Sequence, residues 1–264
     1  MSAIRLLAFD LDGTILDANH RIPPANREAI DRLRSAGVIC VPASGRMHQS
    51  TRMAVAELDL HSPVISYNGA MVRSADDDVW LHRRLPAQLA AVVIEHCARF
   101  GRHLNCYVDD HLYVSEIGDW ARFYLRQTRS PMEAIGDLSA LIGRDHTKLI
   151  LIDSPEVTLE LEPLFRDIMG SDAYIVRTNP EYLEFMHPDA NKGHALRVVA
   201  DRLGIPMSQA AAIGDGANDA PMIASAAIGI ALGPDAAADA CHMPPTGAAD
   251  AFALAVDRWV LAEN

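Results

Sequence analysis

The sequence predicts an α/β protein, a Rossmann-like parallel sheet flanked by helices, with an α+β cap domain inserted into it. Apolar segments typical of buried strands alternate with helical segments at both ends of the 264-residue chain, as in parallel sheets covered by helices. The middle of the chain instead carries adjacent pairs of strands mixed with helices. Half of the residues are hydrophobic, which is ample for a sizeable core. We therefore expect residues 1–83 and 188–264 to form the core and residues 84–187 to form the inserted domain.

The first part of the core is predicted from strand–helix alternation. An apolar strand ends at Phe9, Pro23 and Pro24 open a helix that continues to Ser35, and Gly37 ends it. A second strand, a second helix and a third strand follow at residues 38–43, 47–58 and 63–67. The strands show little alternation of apolar and polar residues, which favours burial on both faces.

The pattern changes after the third strand. Short apolar runs on either side of three aspartates, residues 76–78, predict a hairpin, and a helix follows over residues 86–100. Further strands and a helix are predicted at residues 104–114, 148–152, 155–169, 174–177 and 182–186. Paired strands of this kind indicate a unit separate from the parallel sheet.

The earlier alternation returns after residue 190. The sequence predicts a helix over residues 192–203, a strand over 210–213, a short helix near Ala217 and a strand over 227–231. The alanine-rich stretch 236–240 and the last segment, 248–261, are predicted to be helical.

Composition restricts the classes of partner. The formal net charge is −12 and there is no long basic run, so we expect no nucleic-acid or membrane partner. A phosphorylated small-molecule substrate remains compatible with this negative net charge, since a few residues and a metal can reverse the electric field locally. No apolar stretch reaches 18 residues, and we expect a soluble cytoplasmic protein without a signal peptide that is a monomer or a weak homo-oligomer. The cysteines are far apart and favour reduced thiols over a zinc site, at Cys40, Cys97, Cys106 and Cys241.

The first chemical motif is the segment DLDGT, which follows the first strand. Asp10 and Asp12 lie on the same side of an extended backbone, and Gly13 allows a sharp turn. Two carboxylates so close repel each other unless a cation lies between them, and Mg²⁺ suits such oxygen ligands. A strand that ends in an ordinary Asp-Gly turn is the alternative.

Two weaker signals stand elsewhere. Ser44, Gly45 and Arg46 come where a strand passes into a helix, and the serine hydroxyl and free backbone N–H groups there can bind an anion. A simple helix N-cap is the alternative. Lys192 begins a helix, where a cation is unfavourable for the helix dipole, so its ammonium either reaches a phosphate or is solvated at the surface.

The second dense motif is GDGAND, residues 214–219. Asp215 can reach the same metal as the first motif, and Asn218 and Asp219 can share one face of the following turn. A turn with an Asn or Asp cap is the alternative. The third glycine of a dinucleotide-binding loop is missing, the first motif does not match an EF-hand, and no P-loop occurs.

Together the segments DLDGT, SGR, NKG and GDGAND resemble the haloacid dehalogenase superfamily, and more closely its Cof-type sugar-phosphate phosphatases with a large inserted cap. The stretch ISYNGA, residues 65–70, and the place of the insertion strengthen the resemblance, which covers essentially the whole chain. The chain departs from the family pattern at Pro234-Asp235 and at residues 247–251, which affects the rim of the site.

The resemblance implies a role for each motif residue. Asp10 would be the nucleophile that forms an aspartyl-phosphate, and Asp12 the general acid and base. Asp10, Asp215 and the backbone carbonyl of Asp12 would hold Mg²⁺, with Asp219 supporting the metal site or orienting Lys192. The phosphate would be bound by the Leu11 backbone amide, Ser44, Gly45, Lys192 and Asn218.

The function that the resemblance implies is Mg²⁺-dependent hydrolysis of small phosphorylated metabolites, with sugar phosphates foremost. Phosphoryl transfer needs alignment and neutralised oxygens, and these residue types supply both. A phosphomutase or phosphotransferase with the same intermediate is an alternative, as is a non-catalytic protein that binds a metabolite. The inserted domain would select the substrate.

Overall fold

The computed structural model describes residues 3–240, 242 and 250–262. The described strands, in chain order, are β1 (Leu6–Phe9), β2 (Ile39–Pro42), β3 (Val64–Ser66), β4 (Met71–Arg73), β5 (Val79–His82), β6 (His103–Val108), β7 (His111–Val114), β8 (Glu133–Ala134), β9 (Lys148–Ile152), β10 (Tyr174–Asn179), β11 (Tyr182–Met186), β12 (Ala210–Gly214) and β13 (Ile228–Ala231). The described α-helices are α1 (Pro24–Ser35), α2 (His48–Ala54), α3 (Ala87–Phe100), α4 (Asp119–Thr128), α5 (Pro155–Met169), α6 (Lys192–Leu203), α7 (Ala220–Ser225) and α8 (Ala251–Ala255).

The chain divides into two compact units. One comprises Met1–Leu81 and Asn191–Asn264, and the other comprises His82–Ala190. The first unit is therefore built from two separate parts of the chain, with the second inserted between them.

A four-stranded parallel sheet forms the centre of the first unit, in the order β13-β12-β1-β2. Side chains of β1 alternate between its two faces: Leu7 and Phe9 pack with α1 and α8, whereas Leu6 and Ala8 pack with α6. Each fully buried Leu or Phe side chain contributes about 1.5–3 kcal/mol. Burial of both faces explains the unbroken apolar strands, and the carboxyl ends of β1, β2 and β12 lie at one edge of this sheet.

The third strand departs from the prediction. β3 does not belong to the parallel sheet but pairs antiparallel with β4, and β5 completes a separate three-stranded sheet. A parallel bridge between Ala43 and Ile65 links β3 to the chain just past β2. The short connection from β3 to β4 allows antiparallel pairing, whereas a parallel crossover needs a dozen or more residues.

The second unit contains a six-stranded sheet in the order β10-β11-β9-β6-β7-β8. All neighbours pair antiparallel except β7 with β8. Helices α3 and α5 cover one face through a buried cluster that includes Ile94, Phe165 and Phe185. This sheet with its helices confirms the predicted α/β fold class with an inserted α+β unit.

Three predicted helices differ in detail. The helix expected over residues 47–58 ends at Ala54, and a 3₁₀ turn, Ala56–Leu58, follows. The alanine-rich stretch forms a 3₁₀ helix over Pro234–Asp239. The last helix continues beyond α8 as a π-helix over Val256–Val260, and its expected start at residues 248–249 lies outside the described residues.

The cysteines that the structure describes are buried free thiols. Burial raises the pKa of Cys40 and of Cys97 to about 12, and it raises the pKa of Cys106 as well. Such thiols are poor metal ligands and nucleophiles. Cys241 lies outside the described residues. None of the helices in the described part of the chain is long and apolar enough to cross a membrane.

Candidate active site

Asp10 and Lys192 form the buried centre of the site. Asp10 directly follows β1, and its backbone N–H donates to the Ile213 carbonyl at 2.9 Å, which continues the pairing with β12. Lys192 begins α6, where the Asn191 side chain caps the helix by accepting from the His194 N–H at 2.7 Å. Lys192 is fully buried, and its Nζ donates to Asp10 Oδ1 at 2.5 Å.

Asp219 is the second partner of this lysine. Its Oδ1 accepts from Lys192 Nζ at 2.5 Å, and its Oδ2 accepts the backbone N–H groups of Asp215 at 3.1 Å and Gly216 at 3.0 Å. Both carboxylate oxygens of Asp219 are therefore engaged by donors of the protein, which fixes the loop after β12 against Lys192.

The electrostatics follow from burial and charge. Burial alone lowers the pKa of Lys192, but the Asp10 and Asp219 carboxylates outweigh it and hold that pKa above its ordinary value. Burial raises the pKa of Asp10, and the Lys192 ammonium opposes this effect. The lysine therefore stays charged and supplies a fixed positive charge in a site shielded from water.

Asp215 follows β12 and is less buried. Thr14 Oγ1 donates to Asp215 Oδ1 at 3.3 Å. Burial, and then the Asp219 carboxylate, raise the pKa of Asp215 to about 6. Gly13 has a φ of 80°, and a Cβ at this position would overlap the Asp215 carboxylate, so glycine is needed for both conformation and space.

The carboxylates of Asp10, Asp215 and Asp219 can hold a metal ion. One oxygen from each lies within 4.8 Å of the others. All three donors are hard oxygen atoms, which suit Mg²⁺ better than softer metals. This buried acidic group fits the metal site expected from the sequence.

The side chain of Asp12 lies outside that group. It is exposed, and its two oxygens accept from Arg46, at 2.8 Å from Nε and 2.5 Å from an Nη. His20 Nδ1 lies 3.3 Å from the same carboxylate. Reasoning from the sequence missed both partners, although Arg46 belongs to the segment SGR. This carboxylate thus stands at the rim of the site rather than among the buried acidic groups.

The expected phosphate-binding residues lie on neighbouring loops of the first unit. Ser44 is buried, and its hydroxyl accepts the Arg46 N–H at 3.1 Å. Asn218 donates from Nδ2 to Asn68 Oδ1 at 2.9 Å. Leu11 is buried, and its carbonyl accepts three N–H groups of the following turn. Asn68 has no assigned role in the sequence interpretation, although it lies in the stretch ISYNGA.

An α/β unit with buried carboxylates and a buried lysine at the carboxyl edge of its sheet is suited to metal-assisted chemistry on an anionic substrate. Comparisons with known proteins agree with this class. The family model of the haloacid dehalogenase-like hydrolases matches residues 7–240. An HMP-PP phosphatase of Cronobacter sakazakii is 28% identical over 261 residues, which span 97% of this chain and 96% of the relative.

Crystal structures share the fold over nearly the whole chain. The X-ray structure of TM0651 from Thermotoga maritima is 28% identical, with a TM-score of 0.87 and coverage of 97% of both chains. The subclass IIB sugar phosphatase BT4131 superposes with a TM-score of 0.82 at 20% identity, over 97% of this chain and 98% of its own.

The chain therefore belongs to the haloacid dehalogenase-like hydrolases. The predicted Cof-type resemblance and the predicted class of enzyme, a phosphatase of this superfamily, are confirmed.

Proposed function

We propose that this protein is a Mg²⁺-dependent phosphatase that hydrolyses small phosphorylated metabolites, with sugar phosphates foremost, through an aspartyl-phosphate on Asp10. The observation that carries the proposal is the buried Lys192. It bridges Asp10 and Asp219, which are two of the three carboxylates that can hold a metal ion. Phosphoryl transfer depends on fixed positive charge and alignment, and this arrangement offers both.

Asp10 is the proposed nucleophile. Lys192 engages its Oδ1, so Oδ2 is the oxygen that attacks phosphorus while the bond to the leaving oxygen breaks. Water then attacks the aspartyl-phosphate, releases inorganic phosphate and restores the carboxylate. A covalent intermediate divides one difficult displacement into two easier steps.

Asp12 is the proposed general acid and base. It would give a proton to the leaving oxygen in the first step and take one from the attacking water in the second. Because Arg46 engages both oxygens of Asp12, this role requires the carboxyl group to exchange that ion pair for the leaving oxygen.

The donor set fits Mg²⁺. Asp10, Asp215 and the backbone carbonyl of Asp12 are the proposed ligands, whereas Asp219, whose oxygens are engaged by Lys192 and two backbone amides, orients the lysine and supports the site. When bound, the cation neutralises charge on the phosphoryl oxygens.

The phosphate group itself is the proposed ligand of the neighbouring loops. The Ser44 hydroxyl, the Lys192 ammonium and the Asn218 amide offer donors, together with the backbone amides of Leu11 and Gly45. A phosphate oxygen accepts such charge-assisted hydrogen bonds at roughly twice the strength of neutral ones.

The inserted residues 84–187 are proposed to act as the cap domain that selects the substrate, with residues 1–83 and 188–264 as the catalytic core. The protein is proposed to act in the cytoplasm as a monomer or a weak homo-oligomer. The HMP-PP phosphatase relative and the sugar phosphatase support a panel that contains HMP-PP and sugar phosphates.

The test is a substrate panel assayed with Mg²⁺. Sugar phosphates, HMP-PP and nucleotide monophosphates are each incubated with the protein, and products are followed by ³¹P NMR. The proposal predicts inorganic phosphate from at least one class. Transfer of phosphate to a sugar without release would identify a phosphotransferase, and no conversion by the folded protein would favour a binding protein.

A further inference from the structure

The loop over Tyr67–Gly69 is conformationally strained and lies beside the site. Tyr67 and Asn68 have φ of 53° and 54°, and Gly69 follows with 92°. Two successive non-glycine residues in the left-handed region are unusual, above all when one is a bulky tyrosine. Such strain persists where the surroundings fix it, and it is frequent at functional sites.

The backbone of this loop is bound to the segment that carries Ser44. The Tyr67 N–H donates to the Arg46 carbonyl at 2.9 Å, and the Asn68 N–H donates to the Ser44 carbonyl at 3.0 Å. A Cβ at Gly69 would overlap the Asn191 carbonyl, directly before Lys192. The loop therefore packs between two segments that carry proposed phosphate-binding groups.

The Asn68 side chain reaches a third such segment. Its Oδ1 accepts from Asn218 Nδ2 at 2.9 Å. The same oxygen would lie 2.8 Å from a Cβ at Gly45, so the absence of a side chain there makes room for the contact. The side-chain amide of Asn68 thus contacts both the loop of Gly45 and the loop of Asn218.

This hydrogen bond determines which way the Asn218 amide faces. As Asn68 presents its Oδ1, which can only accept, Asn218 presents its nitrogen to it. The Asn218 Oδ1 lies on the other side, 2.7 Å from the position of a Cβ at Gly216. Since Nδ2 carries two hydrogens, one can bind Asn68 while the other donates to a phosphate oxygen.

We propose that Asn68 is a positioning residue for phosphate binding, which orients the Asn218 amide with its nitrogen toward the anion. The inference rests on the proposed function, because it assigns Asn218 to the phosphate of the substrate. Asn68 itself does not act on the reacting atoms. The strained backbone of the loop places its side chain for this purpose.

The test is a double-mutant cycle of Asn68→Gly and Asn218→Ala. Glycine accepts the positive φ of this position while it removes the side chain with its amide. Asn68→Gly is expected to raise the KM for p-nitrophenyl phosphate, and the Kd of orthophosphate measured by calorimetry with Mg²⁺, by about tenfold, since one oriented hydrogen bond is lost. The change in kcat is expected to be smaller than about threefold, because the contact is made in ground and transition states alike.

Asn218→Ala is expected to raise KM and Kd by a similar factor. The double variant is expected to show no further increase in either constant, because Asn68 acts through Asn218. The matched control is Asp59→Gly, which removes a side chain from another left-handed residue of the same unit, with φ of 47°, and leaves KM and Kd unchanged. Thermal melting verifies that each variant is folded.

The inference on Asn68 would be overturned if KM and Kd were unchanged in Asn68→Gly. It would also be overturned if the increases in KM and Kd of the two single variants multiplied in the double variant. Either result, with hydrolysis by wild type intact, would leave the proposed function standing. Orthophosphate binding that depends on Asn68 without hydrolysis of any ester would leave the inference standing and overturn the proposed function. A wild-type protein that neither binds orthophosphate nor hydrolyses esters would overturn both.

Discussion

Lys192 forms two buried ion pairs at the centre of the site. It is buried together with Asp10 and Asp219, at 2.5 Å from an oxygen of each. Buried ions are tolerated when they are paired and hydrogen-bonded, and removing one partner leaves uncompensated charge. The lysine is therefore expected to support the fold of the site as well as its proposed chemistry.

Lys192→Met should lower the free energy of unfolding by about 3 kcal/mol at pH 7.5, because two buried carboxylates lose their counter-charge. Urea denaturation measures the change. Adding Mg²⁺ should restore part of the loss by binding to the folded state. The double variant Lys192→Met with Asp219→Asn should be more stable than the single variant, and a single variant as stable as wild type would contradict this account.

The raised pKa of Asp215 allows a prediction of how the affinity for Mg²⁺ depends on pH. Its pKa is raised to about 6 by burial and by Asp219, and a proton on its carboxyl competes with the cation. The apparent affinity for Mg²⁺ should be constant above pH 7 and fall by about tenfold per unit below pH 6. Burial raises the pKa of Asp10 as well, so a proton on that carboxyl competes with the cation in the same sense.

Calorimetric titration with Mg²⁺ at pH 5, 6 and 7.5 checks this expectation. Asp215→Asn should bind Mg²⁺ weakly at every pH, because the ligand charge is gone. An affinity that does not change between pH 5 and 7.5 in wild type would show that Asp215 is not a ligand.

Among the elements, the arrangement of the strands accounts for the proximity of Asp10 and Asp215. Asp10, Ser44 and Asp215 each follow a strand of the parallel sheet, and parallel strands present their carboxyl ends at one edge. Lys192 could be placed only through its resemblance to a family motif, because no spacing rule brings the start of α6 to Asp10.

The partners within the loops could not be predicted. The contacts of Arg46 with Asp12 and of Asn68 with Asn218 depend on loop conformations that no periodicity encodes. Asn68 itself has a positive φ. The third strand was assigned to the wrong sheet, because an apolar run does not show which neighbour it pairs with. Helix α4 and strand β8 had no prediction, although the aromatic residues of α4, at Trp120, Phe123 and Tyr124, stand at helical spacing.

His146 gives the second unit a dependence on pH. It is fully buried, pairs through its backbone with Leu85, and its Nδ1 contacts the Arg144 carbonyl at 2.9 Å. Burial lowers the pKa of His146 to about 4. Because the unfolded histidine binds a proton near pH 6.5, stability is full above that pH and falls as the pH drops toward 4, by about 3 kcal/mol in total.

Urea denaturation between pH 4.5 and 7.5, followed by circular dichroism, measures this slope. His146→Asn retains an N–H donor for the Arg144 carbonyl but does not titrate, so its slope should be shallower. Burial also lowers the pKa of His103, so this histidine accounts for part of the pH dependence of stability that remains in the variant. Equal slopes in wild type and variant would show that His146 is not the group responsible.

At the scale of the whole molecule, charge sets the conditions for catalysis. The chain carries a formal net charge of −12, and its proposed substrates are anions, so the general field opposes their approach. The positive charge that would admit a phosphate must therefore be local, and Lys192 and the proposed cation are its sources. Activity without a divalent cation is expected to be negligible.

The role of Asp10 is tested by phosphate release from wild type and Asp10→Asn, each with Mg²⁺ and with chelator, on the best substrate of the panel. We expect release by wild type with Mg²⁺ alone, and a loss of at least about a thousandfold in the folded variant, because the nucleophile is absent. Release that persists in Asp10→Asn, or in wild type with chelator, would contradict this expectation.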